Sequence, residues 1–114
     1  HKNRFWKSAD GFSVDIGAFV AALEYASGRP ASIVGKPNSK FFFLASEEWN
    51  LPAEKILMVG DDIEADIGGA LNAGMKSVLV KTGKFRAETL QSFDIKPNNI
   101  IESIADLPSI IDLD

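Results

Sequence analysis

Four acids fall within the seven residues Gly60-Asp61-Asp62-Ile63-Glu64-Ala65-Asp66. They stand where an apolar run, Lys55 to Val59, gives way to helical spacing, so the chain turns there and carboxylates gather at a strand end. Asp61, just past the strand, and Asp66, in the first helical turn, can converge on one point. Hard carboxylate oxygens suit magnesium, which keeps several waters and takes one or two carboxylates together with a substrate phosphate. The same acids could equally cap the helix and answer its dipole, each contributing up to about 1 kcal/mol. A second feature is Gly35-Lys36-Pro37, where a rigid turn restricts an ammonium group. Held beside a phosphoryl group, such a cation offsets charge on the nucleophile and on the transferring group. In isolation it reads as a solvated surface lysine. Thr82-Gly83-Lys84 follows a second apolar run and could line the same crevice, or simply turn the chain. His1 has no base partner in view, and Phe41-Phe42-Phe43, Trp6 and Trp49 read as core.

The elements that must position these groups follow from spacing. Residues 4 to 7, Arg-Phe-Trp-Lys, predict a strand ending at the turn Asp10-Gly11. From Ile16 to Ser27, Phe19, Val20, Leu23 and Ala26 recur at helical spacing, with Gly28 and Pro30 as the stop. Ile33-Val34 is a brief extended segment entering the Gly-Lys-Pro turn, which continues neither as helix nor as central strand. Ser39 is the expected cap of a helix running to about Asn50, with Phe42, Phe43, Ala45, Ser46 and Trp49 on a broad buried face. The run 55–59 predicts a strand buried on both faces. A helix through Ile63, Ile67, Ala70 and Leu71 follows, ending at Asn72-Ala73-Gly74, and Ser77 to Val80 is a second buried strand. Strand, helix, strand is the βαβ unit of a parallel sheet, whose ligands bind at the carboxyl ends of the strands, where Asp61 and Thr82 fall. A short helix over 86–93, a loop at Lys96-Pro97-Asn98-Asn99, a strand stub and a C-terminal amphipathic helix within 100–113 complete the pattern.

With 114 residues, 46% hydrophobic and 25% charged, the chain has room for one core and is too short for two independent domains. The net charge of -4, with no clustering of Lys and Arg, argues against nucleic acid or an anionic membrane as partner. There is no cysteine, which removes disulfides, thiolate metal sites and thiol catalysis and fits a cytoplasmic location. No apolar segment has the length of a signal peptide or membrane span, so a soluble chain is expected. The opening residue, His1 rather than methionine, reads as a trimmed, processed or partial product.

A lysine in a Gly-Lys-Pro turn, a helix, a buried strand ending in Gly-Asp-Asp and a further Asp follow in the order of the third and fourth motifs of haloacid dehalogenase (HAD)-like hydrolases. The stretches Ala22-Leu23-Glu24-Tyr25-Ala26, Val34-Gly35-Lys36-Pro37, Val59-Gly60-Asp61-Asp62 and Val80-Lys81-Thr82-Gly83-Lys84-Phe85-Arg86 closely resemble phosphatases of its class IIA, which bear a large cap. The resemblance runs from about Arg4 to Arg86. It implies an α/β fold in which residues 1–32 are the C-terminal end of an α/β cap domain and 33–114 the C-terminal half of a Rossmann-like core, parallel strands with flanking helices. It implies further that Asp61 is a direct magnesium (Mg2+) ligand and that Asp66 supports it from behind or through a water. Lys36 would be the catalytic, phosphate-binding cation that orients the nucleophile. Asp62 occupies a position that varies in related motifs and is left out of the metal set. The implied substrate is a small phosphorylated molecule, a phosphate ester, phosphoramidate or pyrophosphate, hydrolysed through an aspartyl-phosphate.

The departure from the family is large. Its nucleophile and general acid/base are two aspartates of an Asp-x-Asp-Gly motif at the end of the first core strand, followed by a Ser or Thr phosphate ligand; none has a counterpart here. Asp10-Gly11-Phe12-Ser13-Val14-Asp15 has the residue types but lies only about 20 residues before the Gly-Lys-Pro turn, within what aligns as cap. This polypeptide alone is therefore expected to lack hydrolase activity, because in-line displacement has no attacking carboxylate. The missing half would also hold the central strand, so the strand at 55–59 should expose an apolar edge. A second copy in a homo-oligomer, a partner chain or a complementing N-terminal half would cover it. Two other readings stand beside this one. A receiver-like signalling domain also uses an acidic pair, magnesium and a lysine, but places the acids first, whereas here Lys36 precedes Asp61. A non-catalytic binding or assembly module derived from the fold is the other.

Overall fold

Asp10-Gly11 reverses the first strand instead of merely ending it. In the computed structural model, which describes residues 2 and 4–111, β1 (Phe5–Ser8) pairs antiparallel with β2 (Gly11–Val14) in the register Phe5 to Val14 and Ser8 to Gly11. The sequence anticipates only the first of these strands, through its aromatic run; Gly11 to Val14, of the same length, has no such cluster. Asp15 then caps α1 (Ile16–Ser27), its carboxylate accepting from the Ile16 N–H at 2.6 Å, and Gly28 ends the helix in the left-handed conformation. Asp15 is thus a helix cap, not part of a nucleophile motif. Along α1 only Gly17 is buried, while Phe19, Leu23 and Tyr25 are exposed. Glu24 accepts from Lys2 Nζ at 2.5 Å and from the Ala31 N–H at 2.8 Å, which ties the segments on either side of α1 to it.

Residues 1–35 and 36–114 form separate compact units. The second is a mixed α/β unit on a parallel sheet of order β3-β4-β5, comprising β3 (Leu57–Gly60), β4 (Lys76–Val80) and β5 (Asn99–Ile101). Side chains alternate across a strand, and β4 shows the result on both faces. Leu79 packs with Ile63 and Ile67, and with Phe85, Leu90 and Ile95, on one side; Val78 and Val80 pack with Ile101, Leu57, Val59 and Leu107 on the other. That double burial is why Val78-Leu79-Val80 is continuously apolar instead of alternating with polar residues. A third cluster, Phe42, Ile56, Ala70, Ala73 and Met75, joins α2 (Ser39–Ser46) to α3 (Gly69–Asn72).

Several boundaries differ from expectation. Asn38, not Ser39, caps α2, its side-chain oxygen accepting from the Lys40 N–H at 2.9 Å. The expected broad buried face of α2 reduces to Phe42: Phe43 is 51% exposed and Trp49, in a 3-10 turn at Glu47–Trp49, is 57% exposed. A 3-10 turn at Ala53–Lys55 delays β3, and as the outer strand of the sheet it is half-buried where burial on both faces was expected. After β4 comes α4 (Ala87–Ser92). The expected C-terminal amphipathic helix is a 3-10 segment, Ile104–Ser109, started by a capping box between Ser103 and Asp106 and containing Pro108, which has no N–H to continue an α-helix. Residues 112–114 lie outside the described residues. Among the described residues no helix is long and apolar enough to cross a membrane.

Candidate active site

The chain leaves β3 at Gly60 and enters a π-helical turn, Ile63–Gly68, that runs on into α3. Asp62 starts it. Its Oδ1 accepts from the Glu64 and Ala65 N–H groups at 3.2 and 2.9 Å, satisfying two donors that a helix N-terminus leaves open. Its carbonyl accepts from both Asp66 at 3.0 Å and Ile67 at 3.2 Å, the widened spacing of a π-turn, which often marks functional positions. Asp66 is thereby buried, 4% exposed, and folded back over Gly60, where a Cβ would collide with its carboxylate.

Lys36 arrives from the opposite side. A Cβ on Gly69 would sit 2.5 Å from the Phe42 ring and 2.9 Å from the Pro37 carbonyl, so glycine lets the 36–38 turn and α2 approach the helix closely. The Lys36–Pro37 bond is cis. Lys36 Nζ lies 2.5 Å from Asp66 Oδ1, a charge-assisted contact between residues 30 apart in sequence. The other Asp66 oxygen accepts from the Asp62 N–H at 3.3 Å. Both oxygens of Asp66 are therefore engaged, and the Lys36 side chain remains 38% exposed.

Asp61 is held differently. Its Oδ2 accepts from the backbone N–H of Lys84 at 2.7 Å, across from β3 to the loop after β4. The Lys84 ammonium lies 3.4 Å from Asp62 Oδ2. Asp61, Asp62, Lys84 and Arg86 line a cavity of about 210 Å3 whose apolar wall includes Ile63 and Leu90. Thr82 is exposed; its carbonyl accepts from the Phe85 N–H at 2.9 Å and closes the turn.

Among the sequence-derived candidates, then, Lys36 and Asp66 are in direct contact, and Asp61 is joined to them through the neighbouring Asp62 N–H. Missing from that set were the Lys84 amide, the only group that hydrogen-bonds Asp61 among the described residues, and the capping role of Asp62. A backbone donor carries no residue-type signal; Gly83 just before it is the nearest thing to one. Among the described residues no three His, Cys, Asp or Glu side chains gather to hold a metal ion. The donors present are nonetheless of the right kind for magnesium: carboxylate oxygens without imidazole or thiolate, with one Asp61 oxygen free of hydrogen bonds. As a donor set they fit a magnesium site in part.

A parallel α/β unit with acids and a lysine gathered beyond the carboxyl end of β3 has them where folds of this class bind their ligands. The profile of the HAD-hydrolase-like family matches residues 33–107, and the chain belongs to that family. It is 41% identical to phospholysine phosphohistidine inorganic pyrophosphate phosphatase of Xenopus laevis, over 96% of this chain and 41% of that protein. It is 45% identical to haloacid dehalogenase-like hydrolase domain-containing protein 2 of Bos taurus, over 90% of this chain and 40% of that one. In structure it resembles the 4-nitrophenylphosphatase of Thermotoga maritima (TM-score 0.81, 34% identity, 98% of this chain and 43% of that one). It also resembles a glycerol phosphate phosphatase of Mycobacterium tuberculosis solved in complex with magnesium (TM-score 0.70, 29% identity, 88% and 30%). The chain thus spans about two fifths of the curated relatives it matches.

Proposed function

We propose that this chain is the C-terminal part of a magnesium-dependent phosphohydrolase acting on a phosphate ester, phosphoramidate or pyrophosphate through an aspartyl-phosphate. The observation that carries the reading is the Lys36–Asp66 contact at 2.5 Å, next to Asp61 at the carboxyl end of β3. Asp61 supplies a direct oxygen ligand. Asp66, buried and engaged at both oxygens, fixes Lys36 and acts on the metal through a water. Lys36 faces the phosphoryl group, offsets its charge and orients the nucleophile. Magnesium, when bound, neutralises charge on the transferring group. The names of the relatives, covering pyrophosphate, phosphoramidate and simple phosphate esters, support this substrate class.

No Asp-x-Asp-Gly motif occurs in these residues, so we infer that the polypeptide alone does not turn over. β3 is the outer strand of its sheet and only half-buried. We infer that a strand from the part of the protein corresponding to the uncovered three fifths of its relatives pairs with it; pairing with a second copy would instead give a homo-oligomer by light scattering. The absence of cysteine supports a cytoplasmic setting.

The decisive experiment joins this chain to the part of the Xenopus relative that it does not cover and assays 4-nitrophenyl phosphate with and without magnesium. The chimera should be active only with magnesium, and Asp61→Asn should lower turnover by about 10²-fold or more. Turnover unchanged by Asp61→Asn would remove the metal assignment.

A further inference from the structure

Asp61 leaves β3 without the helix cap that fixes Asp62 or the ion pair that fixes Asp66, so its direction depends on the loop after β4. That loop is built around Gly83. Its φ is 50°, in the left-handed region where a Cβ is strained. Independently, a Cβ built there would overlap Asp61 Oδ2 and lie 3.1 Å from its Cγ. Glycine is therefore required twice, once by backbone conformation and once by space. The room it leaves is filled by the carboxylate, which the next N–H, that of Lys84, receives at 2.7 Å. The loop is itself braced: the Phe85 N–H closes the turn on the Thr82 carbonyl at 2.9 Å, and Arg86 Nη1 donates to the Gly83 carbonyl at 3.1 Å and to the Phe85 carbonyl at 2.5 Å.

We propose that Gly83 and the Lys84 backbone form a clamp that fixes the Asp61 carboxylate, occupying one oxygen and leaving the other for a divalent cation. Gly83 is thus a positioning residue. The assignment of the cation rests on the function proposed above; the clamp itself does not. Outer hydrogen bonds of this kind orient a ligand and typically govern affinity by about 10–100-fold.

Two substitutions separate space from strain. Asn tolerates the left-handed conformation, so Gly83→Asn keeps the backbone comfortable yet still intrudes on Asp61. Gly74 has a φ of 77°, but a Cβ there meets only the Ala53 methyl at 3.7 Å, so Gly74→Ala imposes strain with no carboxylate in contact. The experiment records the Lys84 amide proton by 15N-edited NMR in the full 114-residue chain and measures Mn2+ affinity by electron spin resonance. Asp61→Ala should move the Lys84 amide upfield, as loss of a carboxylate acceptor requires. Gly83→Asn should reproduce that move and weaken Mn2+ binding about 10-fold or more, while Gly74→Ala changes neither. A Lys84 amide indifferent to Asp61→Ala, or a Gly83→Asn chain with the original amide shift and Mn2+ affinity, overturns the clamp. If the unsubstituted chain binds no Mn2+ while the amide still answers to both substitutions, the clamp is upheld and its effect on the cation is read in the chimera proposed above, where a Gly83→Asn protein of unchanged Mn2+ affinity overturns the cation role.

Discussion

The two units of this molecule use the same kind of apolar spacing to opposite effect. Along α1 the residues Phe19 and Leu23 recur at helical intervals yet remain 63% and 70% exposed. In the β3-β4-β5 unit, Ile67, picked out by the same helical spacing, is wholly buried. Local propensity does not separate them. The difference is the partner: Ile67 lies against a sheet strand belonging to its own unit, while the hairpin of four-residue strands beside α1 offers little surface to cover a helix face. Periodicity therefore tells which face of a helix is apolar, and tertiary contacts decide whether that face is covered.

The largest expected effect tests the covered side. Leu79→Ala removes a side chain packed between Ile63 and Ile67 and should destabilise the chain by about 2–5 kcal/mol in urea unfolding followed by circular dichroism. A loss under about 1 kcal/mol would mean that the core relaxes around the gap and that the contrast is overstated. Next comes the start of the π-helical turn. Asp62→Ala leaves the Glu64 and Ala65 N–H groups without their acceptor and should cost about 1 kcal/mol, while Asp62→Asn, which keeps an acceptor oxygen, should cost much less. Equal losses from both would show that charge against the Lys84 ammonium, and not capping, is what Asp62 contributes. On the uncovered side, Leu23→Ala should change stability by no more than about 0.5 kcal/mol. A core-sized loss would show that this face is covered in solution.

Much of the second unit is legible in sequence because its signals are strong. Residues 77–80 announce a buried strand, Gly74 a helix end, and Gly-Lys-Pro a turn, and each of these elements is present. The α/β class and the parallel pairing follow from their order. What escapes the sequence is set by contacts that residue type does not encode. The π-turn arises from two N–H groups sharing the Asp62 carbonyl. The half-burial of β3 follows from its place at the sheet edge. The restraint on Asp61 is a backbone amide 23 residues later. The cap of α2 moved by one residue because the Asn38 oxygen reaches the second N–H onward. In the first unit the second strand escapes because Gly11-Phe12-Ser13-Val14 lacks the adjacent aromatic pair that marks Phe5-Trp6 in a strand of equal length.

The smallest effect concerns Glu24, which lies in the unit with the thinner core. The Lys2 ammonium, with help from the Ala31 N–H, holds the Glu24 carboxyl below its ordinary value. A carboxylate whose folded-state pKa is depressed contributes stability that is fully present above the unfolded value, about pH 4.3, and is lost as pH falls through the folded one. The first unit should thus loosen as the pH falls below about 4. Carboxyl 13C titration should place the Glu24 midpoint below that of other glutamates, and Lys2→Ala should raise it. If Lys2→Ala leaves the midpoint unmoved, the ion pair does not hold in solution. The segments flanking α1 would then be tied through the Ala31 amide alone.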